Sequence, residues 1–158
     1  MKEILLQKGI VALVDDGDYE YLNQFKWHSI RKKEYTRYVI RHLWRNGKRT
    51  TTTMHQDILN PPFGMVSDHI NGNGLDNQRG NLRVCMASNN CMNRKPQNGS
   101  SSYKGVSLHT KGGKWAARIK TKGKIYNLGH FESEIEAAIV YNNAAKKMFG
   151  EFARFNNV

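Results

Sequence analysis

The segment Asp68-His69-Ile70-Asn71-Gly72-Asn73-Gly74-Leu75-Asp76-Asn77, continued by Asn81-Leu82-Arg83-Val84 and Ser88-Asn89-Asn90, constrains the chain more than any other. Within 23 positions it places an imidazole, a neighbouring carboxylate and side-chain amides. Adjacent residues on a strand point to opposite faces, so Asp68 and His69 can serve one site only where a strand ends or bends. Asn71-Gly72-Asn73-Gly74 supplies that bend, because glycine and asparagine tolerate tight-turn backbone angles. A neutral His accepts a proton near pH 7, its reference pKa being about 6.5. A carboxylate with an amide oxygen suits a hard divalent cation. Taken alone, His69 reads as readily as a structural histidine, and Asn77 and Asn81 as turn or cap residues.

The 158 residues suffice for one ordinary domain or two small ones. Lys and Arg number 25 against 13 Asp and Glu, a formal charge of +12. Residues 1–98 and 99–158 each carry +6, so the excess is no single basic tail. Basic surfaces of this kind bind polyanions by releasing counterions, which points to nucleic acid. A membrane surface is the competing partner, but no lysine-rich amphipathic helix with an aromatic and leucine face stands out. No run of 18 apolar residues and no secretory-type start is seen, so no membrane span is expected. Cys85 and Cys91 are the only cysteines, too few for a four-cysteine zinc site; reduced thiols fit a cytoplasmic location.

Upstream of the segment, residues 1–60 read as short strands. Ile4–Leu6 and Ile10–Val14 are apolar runs separated by a turn at Lys8-Gly9. Asp15–Asp18 reads as a turn preceding a short helix over Tyr19–Phe25, with Asp16 or Asp18 as N-cap. Tyr35–Trp44 and Arg49–Met54 read as a hairpin about Asn46-Gly47. The Trp and Tyr residues of this part are expected in the core. Pro96–Ser102 is the one linker-like stretch and sets the expected boundary. Beyond it, Tyr103–His109, Trp115–Lys120 and Ile125–Phe131 read as a meander with turns at Lys111–Lys114 and Lys122–Lys124. Ser133-x-x-Glu136 opens a helix to about Phe149, with Ala138, Tyr141, Ala145 and Met148 on one face and Gly150 as C-cap. The fold class expected is α+β.

Asp68-His69, Asn81 and Asn90, set in Asp-His-Ile-Asn-Gly-Asn-Gly-Leu-Asp-Asn and Asn-Leu-Arg-Val, resemble the HNH endonuclease family in the His-Asn-Asn variant of homing endonucleases. The resemblance spans about 40 residues. It implies a ββα-metal core over about 60–95, within an HNH domain of residues 1–98. The strand would end at His69, the return strand would run Leu82–Cys85, and the helix from about Ser88 to Asn93. It implies His69 as general base, Asp68 and Asn90 as ligands of one Mg²⁺ or Mn²⁺, and Asn81 as the residue that orients His69 or braces the loop. Arg83 and Arg94 would lie near substrate phosphates. Asn90 stands where many relatives have His, which favours a hard metal over zinc. His55 resembles the His of a Met-His-Arg that precedes the site in relatives, with Gln56 in place of the Arg; a packing role suits it equally.

Tyr103-Lys104-Gly105-Val106-Ser107, Lys114–Ile119, Asn127–Phe131 and Glu136-Ala137-Ala138 with Tyr141 resemble the APETALA-type (ethylene-response-factor) DNA-binding domain across nearly all of 102–156. This implies a domain of residues 99–158: a three-stranded antiparallel sheet laid in the major groove with one helix packed behind it. Lys104, Ser107, His109, Lys111, Arg118 and Lys120 would face DNA. The plant pattern has arginines at Lys104, Ser107 and His109 and a Trp at Asn127, so phosphate contacts would outweigh guanine readout here.

Together the two resemblances imply a metal-dependent DNA endonuclease that leaves 5′-phosphate and 3′-hydroxyl ends, a homing endonuclease or nickase of a phage or bacterial mobile element. Its partner would be double-stranded DNA, with monomer and homodimer both open. The alternative is a non-catalytic DNA-binding regulator that keeps the nuclease scaffold.

Overall fold

The computed structural model describes residues 1–33, 36–96, 99–109 and 112–158. Tyr35, the Gln97-Asn98 part of the linker-like stretch and Lys111 lie outside the described residues. Among the described residues the chain is mixed α and β, with four small antiparallel sheets. Internal contacts divide it into two units, Met1–Ala87 and Ser88–Val158, a division ahead of the Pro96–Ser102 stretch.

The first unit opens with a hairpin of β1 (Lys2–Leu5) and β2 (Val11–Val14), followed by α1 (Asp16–Leu22). Asp15 occupies the N-cap position, and Asp16 and Asp18 fall in the first helical turn, where carboxylates favour the positive end of the helix. The expected caps, Asp16 and Asp18, therefore shift by at least one residue, and the expected Asp15–Asp18 turn is the start of the helix itself. β3 (His28–Lys33), β4 (Thr36–Arg45) and β5 (Lys48–Thr53) form an antiparallel sheet in that order. The β4–β5 turn uses Asn46 at φ 51° and Gly47 at φ 71°, the left-handed pair a two-residue hairpin requires. α2 (Met54–Leu59) starts from a capping box in which Thr53 and Gln56 satisfy each other's backbone.

The core of this unit gathers Val14, Leu22, Trp27, Val39, Met54 and Leu82. Trp27 is buried as expected, its indole N–H donating to the Leu22 carbonyl at 2.8 Å. Trp44 is not: it stands 74% exposed on the β4–β5 ribbon, and Tyr21 is also exposed. Alternation along β4 explains the difference, since the strand leaves the core after Ile40 and its last residues have nothing above them. β6 (Val66–His69) and β7 (Leu82–Cys85) complete the unit as a two-stranded antiparallel sheet.

α3 (Ala87–Met92) leads into the second unit, where Met92 packs against the cluster of Ile119, Tyr141, Ala145 and Phe149. β8 (Val106–Leu108), β9 (Trp115–Thr121) and β10 (Lys124–Phe131) form the meander, with β9 central. α4 (Glu134–Phe149) packs its Ala137, Ala138, Tyr141 and Ala145 on that sheet. Small residues at the contact let the helix lie close. Met148 departs from the expected face: it is exposed, and Phe149, four residues after Ala145, is buried instead. Cys85 is buried and Cys91 exposed, and among the described residues neither forms a disulfide. Among the described residues no helix is long and apolar enough to cross a membrane.

Candidate nuclease site

Strand β6 delivers Asp68 and His69 at its last two positions, so the two side chains leave the sheet on opposite sides of a strand end. Asp68 pairs in register with Arg83 of β7, and His69 with Leu82. Across that register the Arg83 guanidinium donates from Nε (3.1 Å) and Nη2 (2.8 Å) to Asp68 Oδ2. The ion pair is largely buried on both sides.

The loop after His69 is wired by its own asparagines. Asn71 Nδ2 donates to Asp76 Oδ2 at 2.8 Å, and its Oδ1 accepts from the Asn73 amide at 2.7 Å. Asn81 Oδ1 accepts from the Asn71 amide (3.0 Å), and Asn81 Nδ2 donates to the Asp76 carbonyl (2.8 Å). Its far side is tied to β2, with Leu13 donating to the Leu75 carbonyl and Asn77 donating to the Leu13 carbonyl. Asp15 accepts from the Arg79 amide at 2.7 Å, and the Arg79 guanidinium grips Asp18 in a bidentate pair. Gly74 presses against β4, where a Cβ would lie 2.0 Å from the Arg37 carbonyl oxygen. That approach admits no side chain.

Of the two expectations for Asn81, orienting His69 or bracing the loop, the side chain performs the second. The residue that orients His69 is Asn77. Fully buried, it accepts from His69 Nε2 through Oδ1 at 3.2 Å. This bond selects the tautomer with the proton on Nε2 and leaves the basic lone pair on Nδ1. His69 is only 4% exposed. Burial pushes its pKa below the usual imidazole value, opposed by the Asn77 bond and the negative charges of Asp68 and Asp76. These surroundings favour the neutral ring more than water does.

His55 on α2 completes the surroundings. It is buried, its ring centroid is 4.5 Å from that of His69 at an interplanar angle of 72°, and its Nε2 lies 3.1 Å from the Thr53 hydroxyl. Tyr38 borders both rings, at 5.6 and 5.9 Å. Asn90 lies on α3 of the second unit, half-buried, and Arg94 follows it, exposed. Among the described residues no group of three His, Cys, Asp or Glu side chains is placed to hold a metal ion.

In the second unit, Ser107, Arg118 and Lys120 lie on one face of the sheet, since Ser107 pairs with Ala116 and residues 116, 118 and 120 share a side. His109 joins them, its ring 5.0 Å from that of His130, the register partner of Ala116. The opposite face carries Val106, Ala117 and Ile119 against α4. Lys104 does something else: half-buried, its ammonium bonds the Met92 carbonyl at the end of α3. Burial, with Arg154 and Arg94 nearby, pushes its pKa down to about 8.

No protein-family model matches the chain. It is 27% identical over 151 residues, 96% of its own length and 77% of the relative's, to an uncharacterized HNH endonuclease of Acanthamoeba polyphaga mimivirus. It is 32% identical over 95 residues to Protein 3.8 of Escherichia phage T7, of which it covers 78%. The chain belongs to the family of that phage protein. It is also 43% identical over 70 residues to dehydration-responsive element-binding protein 2D of Arabidopsis thaliana, spanning 34% of that plant protein. Membership of the Protein 3.8 family rests on 60% of the chain, whereas the likeness to the plant protein rests on 42%.

Proposed function

We propose that the chain is a DNA endonuclease whose general base is His69. The observation that carries this reading is a buried imidazole at the end of β6 with its Nε2–H fixed on buried Asn77. That bond holds the ring's orientation and tautomer. Nδ1 would take the proton of the attacking water, and the Asn77 amide oxygen would stabilise the imidazolium that forms. The names of the mimivirus and Arabidopsis relatives support a nuclease and DNA as its partner. The resemblance of the Asp68–Asn90 motif to homing endonucleases further implies a homing endonuclease or nickase of a phage or bacterial mobile element.

The donor set fits a hard divalent cation in kind. Asp68 is a carboxylate at the mouth of the hairpin, and Asn90 is the amide ligand the resemblance implies; Mg²⁺ holds on with one or two carboxylates and completes its shell with water and phosphate oxygens. Bound there, it would neutralise charge on the phosphate and on the leaving 3′ oxygen. Arg83 holds Asp68 in place through two hydrogen bonds from its guanidinium. The sheet face of Ser107, His109, Arg118 and Lys120 would hold the duplex, mainly through its phosphates.

The test is conversion of supercoiled plasmid to nicked or linear form, with and without Mg²⁺, by the chain and by His69→Ala. Product that needs both the metal and His69, with 5′-phosphate ends, supports the reading. One observation favours a second reading: the Asp68–Arg83 bridge is also what a purely structural ion pair looks like. A DNA-binding regulator on a nuclease scaffold would shift DNA equally as either protein and cleave with neither.

A further inference from the structure

The sheet β3–β4–β5 holds more of the chain's charge than any other part of the fold. Residues 28–53 contain eight Lys and Arg and a single acid, Glu34, a net +7 within a chain of +12. Arg41 is neutralised there by Asp57 at 2.7 Å. Past the core contacts at Val39 and Ile40, every residue from 44 to 49 is exposed.

The register of this tip is informative. Arg45 lies directly opposite Lys48, and Trp44 opposite Arg49. Residues paired across strands share a face and the next pair takes the other, so Arg45 with Lys48 marks one face and Trp44 with Arg49 the opposite one. Like charges directly across from each other destabilise a hairpin. No acidic partner is seen for Arg45, Lys48 or Arg49 among the described residues. The tip thus carries uncompensated cations on both faces of a narrow ribbon. A ribbon resting flat on a polyanion would need them on one face only. Cations on both faces fit a ribbon lying between two rails of phosphate.

We propose that the β4–β5 ribbon enters the major groove of duplex DNA, with Arg45 and Lys48 turned to one phosphate backbone, Arg49 to the other, and Trp44 meeting the apolar groove edge. The groove permits this: the major groove of B-DNA is about 12 Å wide and admits a two-stranded ribbon. A thymine methyl offers an apolar contact for the indole. This gives the first unit its own hold on DNA, apart from His69 and from the sheet of the second unit. The inference rests on DNA being the partner but not on cleavage.

The experiment measures binding of the full chain to a labelled DNA duplex in EDTA over a range of salt. The wild type is compared with Arg45→Ala/Lys48→Ala/Arg49→Ala, with Trp44→Ala, and with a charge control, Lys146→Ala/Lys147→Ala, on the exposed side of α4. Each phosphate contact contributes about 0.9 to the slope of log affinity against log salt. The triple variant is expected to lower that slope by about 2 to 3 and weaken binding at least about tenfold, with the control changing little. Wild-type protection of guanine N7 from methylation, lost in the triple variant, would place the ribbon in the major groove. The proposal is overturned if the triple variant binds like the control, or if the wild type does not bind DNA. It is overturned equally if A-form RNA duplex, whose major groove is too narrow for a ribbon, competes as well as DNA. Plasmid nicking by the same variants at low salt separates the outcomes: nicking without ribbon dependence leaves the nuclease reading standing and removes only the ribbon.

Discussion

His55 and His69 meet edge to face, with ring centroids 4.5 Å apart, although they come from different elements and lie 14 positions apart in the chain. α2 thereby supplies one wall of the candidate site. A ring stopped by another ring cannot swing, and a base held in place loses little entropy on reaching its geometry. His55→Ala is expected to slow nicking by about ten- to a hundredfold. His55→Phe, which keeps a flat ring, is expected to recover most of that rate. Nicking rates of the two variants, read beside their melting curves, decide the matter. Equal loss in both would sink the packing account and point to a role for the imidazole's own nitrogens.

Asn77 is the orienting partner of His69, and its removal has two separable effects. Asn77→Ala leaves a buried imidazole N–H without its acceptor, a cost of about 1–3 kcal/mol in stability. It also releases the tautomer, and nicking is expected to fall by at least about a hundredfold. Asn77→Asp would instead set a carboxylate on Nε2–H, stabilise the imidazolium and shift the acid limb of the nicking profile to higher pH. A profile unmoved by Asn77→Asp would show that this hydrogen bond does not tune the base.

The lowered His69 pKa fixes the direction of two pH effects. With His69 as the proposed base, nicking would need the neutral ring, so its acid limb should fall below the ordinary imidazole value of about 6.5. Stability follows by linkage. The folded state binds this proton less readily than the unfolded one, so the contribution of neutral His69 is complete above the unfolded pKa and is lost as pH falls below it. Melting temperatures taken from pH 7.5 down to pH 5 should drop more for the wild type than for His69→Gln. Parallel curves would rule out His69 as the group responsible.

Much of this site is legible in the residues because its determinants are local. β6 ends at His69 and β7 runs Leu82–Cys85, as the resemblance of the motif implies. Asn46-Gly47 and Ser133 announce their turn and cap in the same way. What was hidden depends on contacts between segments. The bond of Asn77 to His69 spans eight positions across a loop whose four asparagines look alike in sequence. β3 is hidden because His-Ser-Ile-Arg-Lys-Lys has little β-branched content; its pairing with β4 supplies the order. α2 carried a signal that was missed: Thr53-x-x-Gln56 is a capping box, masked by the threonine run of the preceding strand.

Gly74 is set where the loop touches β4, and a methyl group there would collide with the Arg37 carbonyl at 2.0 Å and crowd the Tyr38 ring at 3.0 Å. Backbone cannot yield as a flexible side chain does, so Gly74→Ala should cost about 1–3 kcal/mol. Because Tyr38 borders both His55 and His69, nicking should fall as well. Gly80→Ala, where a Cβ would meet nothing within 4 Å, is the matched control. Chemical denaturation of both variants reads the difference, and equal stabilities would contradict the close approach.

The Asp68–Arg83 bridge separates folding from chemistry. Breaking a largely buried pair from one side strands a charge and costs about 3–5 kcal/mol, so Asp68→Ala alone should unfold readily and say little about catalysis. Removing both charges at similar volume, as in Asp68→Leu/Arg83→Met, is often neutral for stability. If Asp68 holds the cation, this double variant should melt near the wild type and still fail to nick plasmid at any Mg²⁺ concentration. It should also lose the Mg²⁺-dependent rise in melting temperature expected of a protein that binds metal only when folded. A double variant that melts normally and keeps nicking would remove Asp68 from the chemistry and leave the bridge a structural pair.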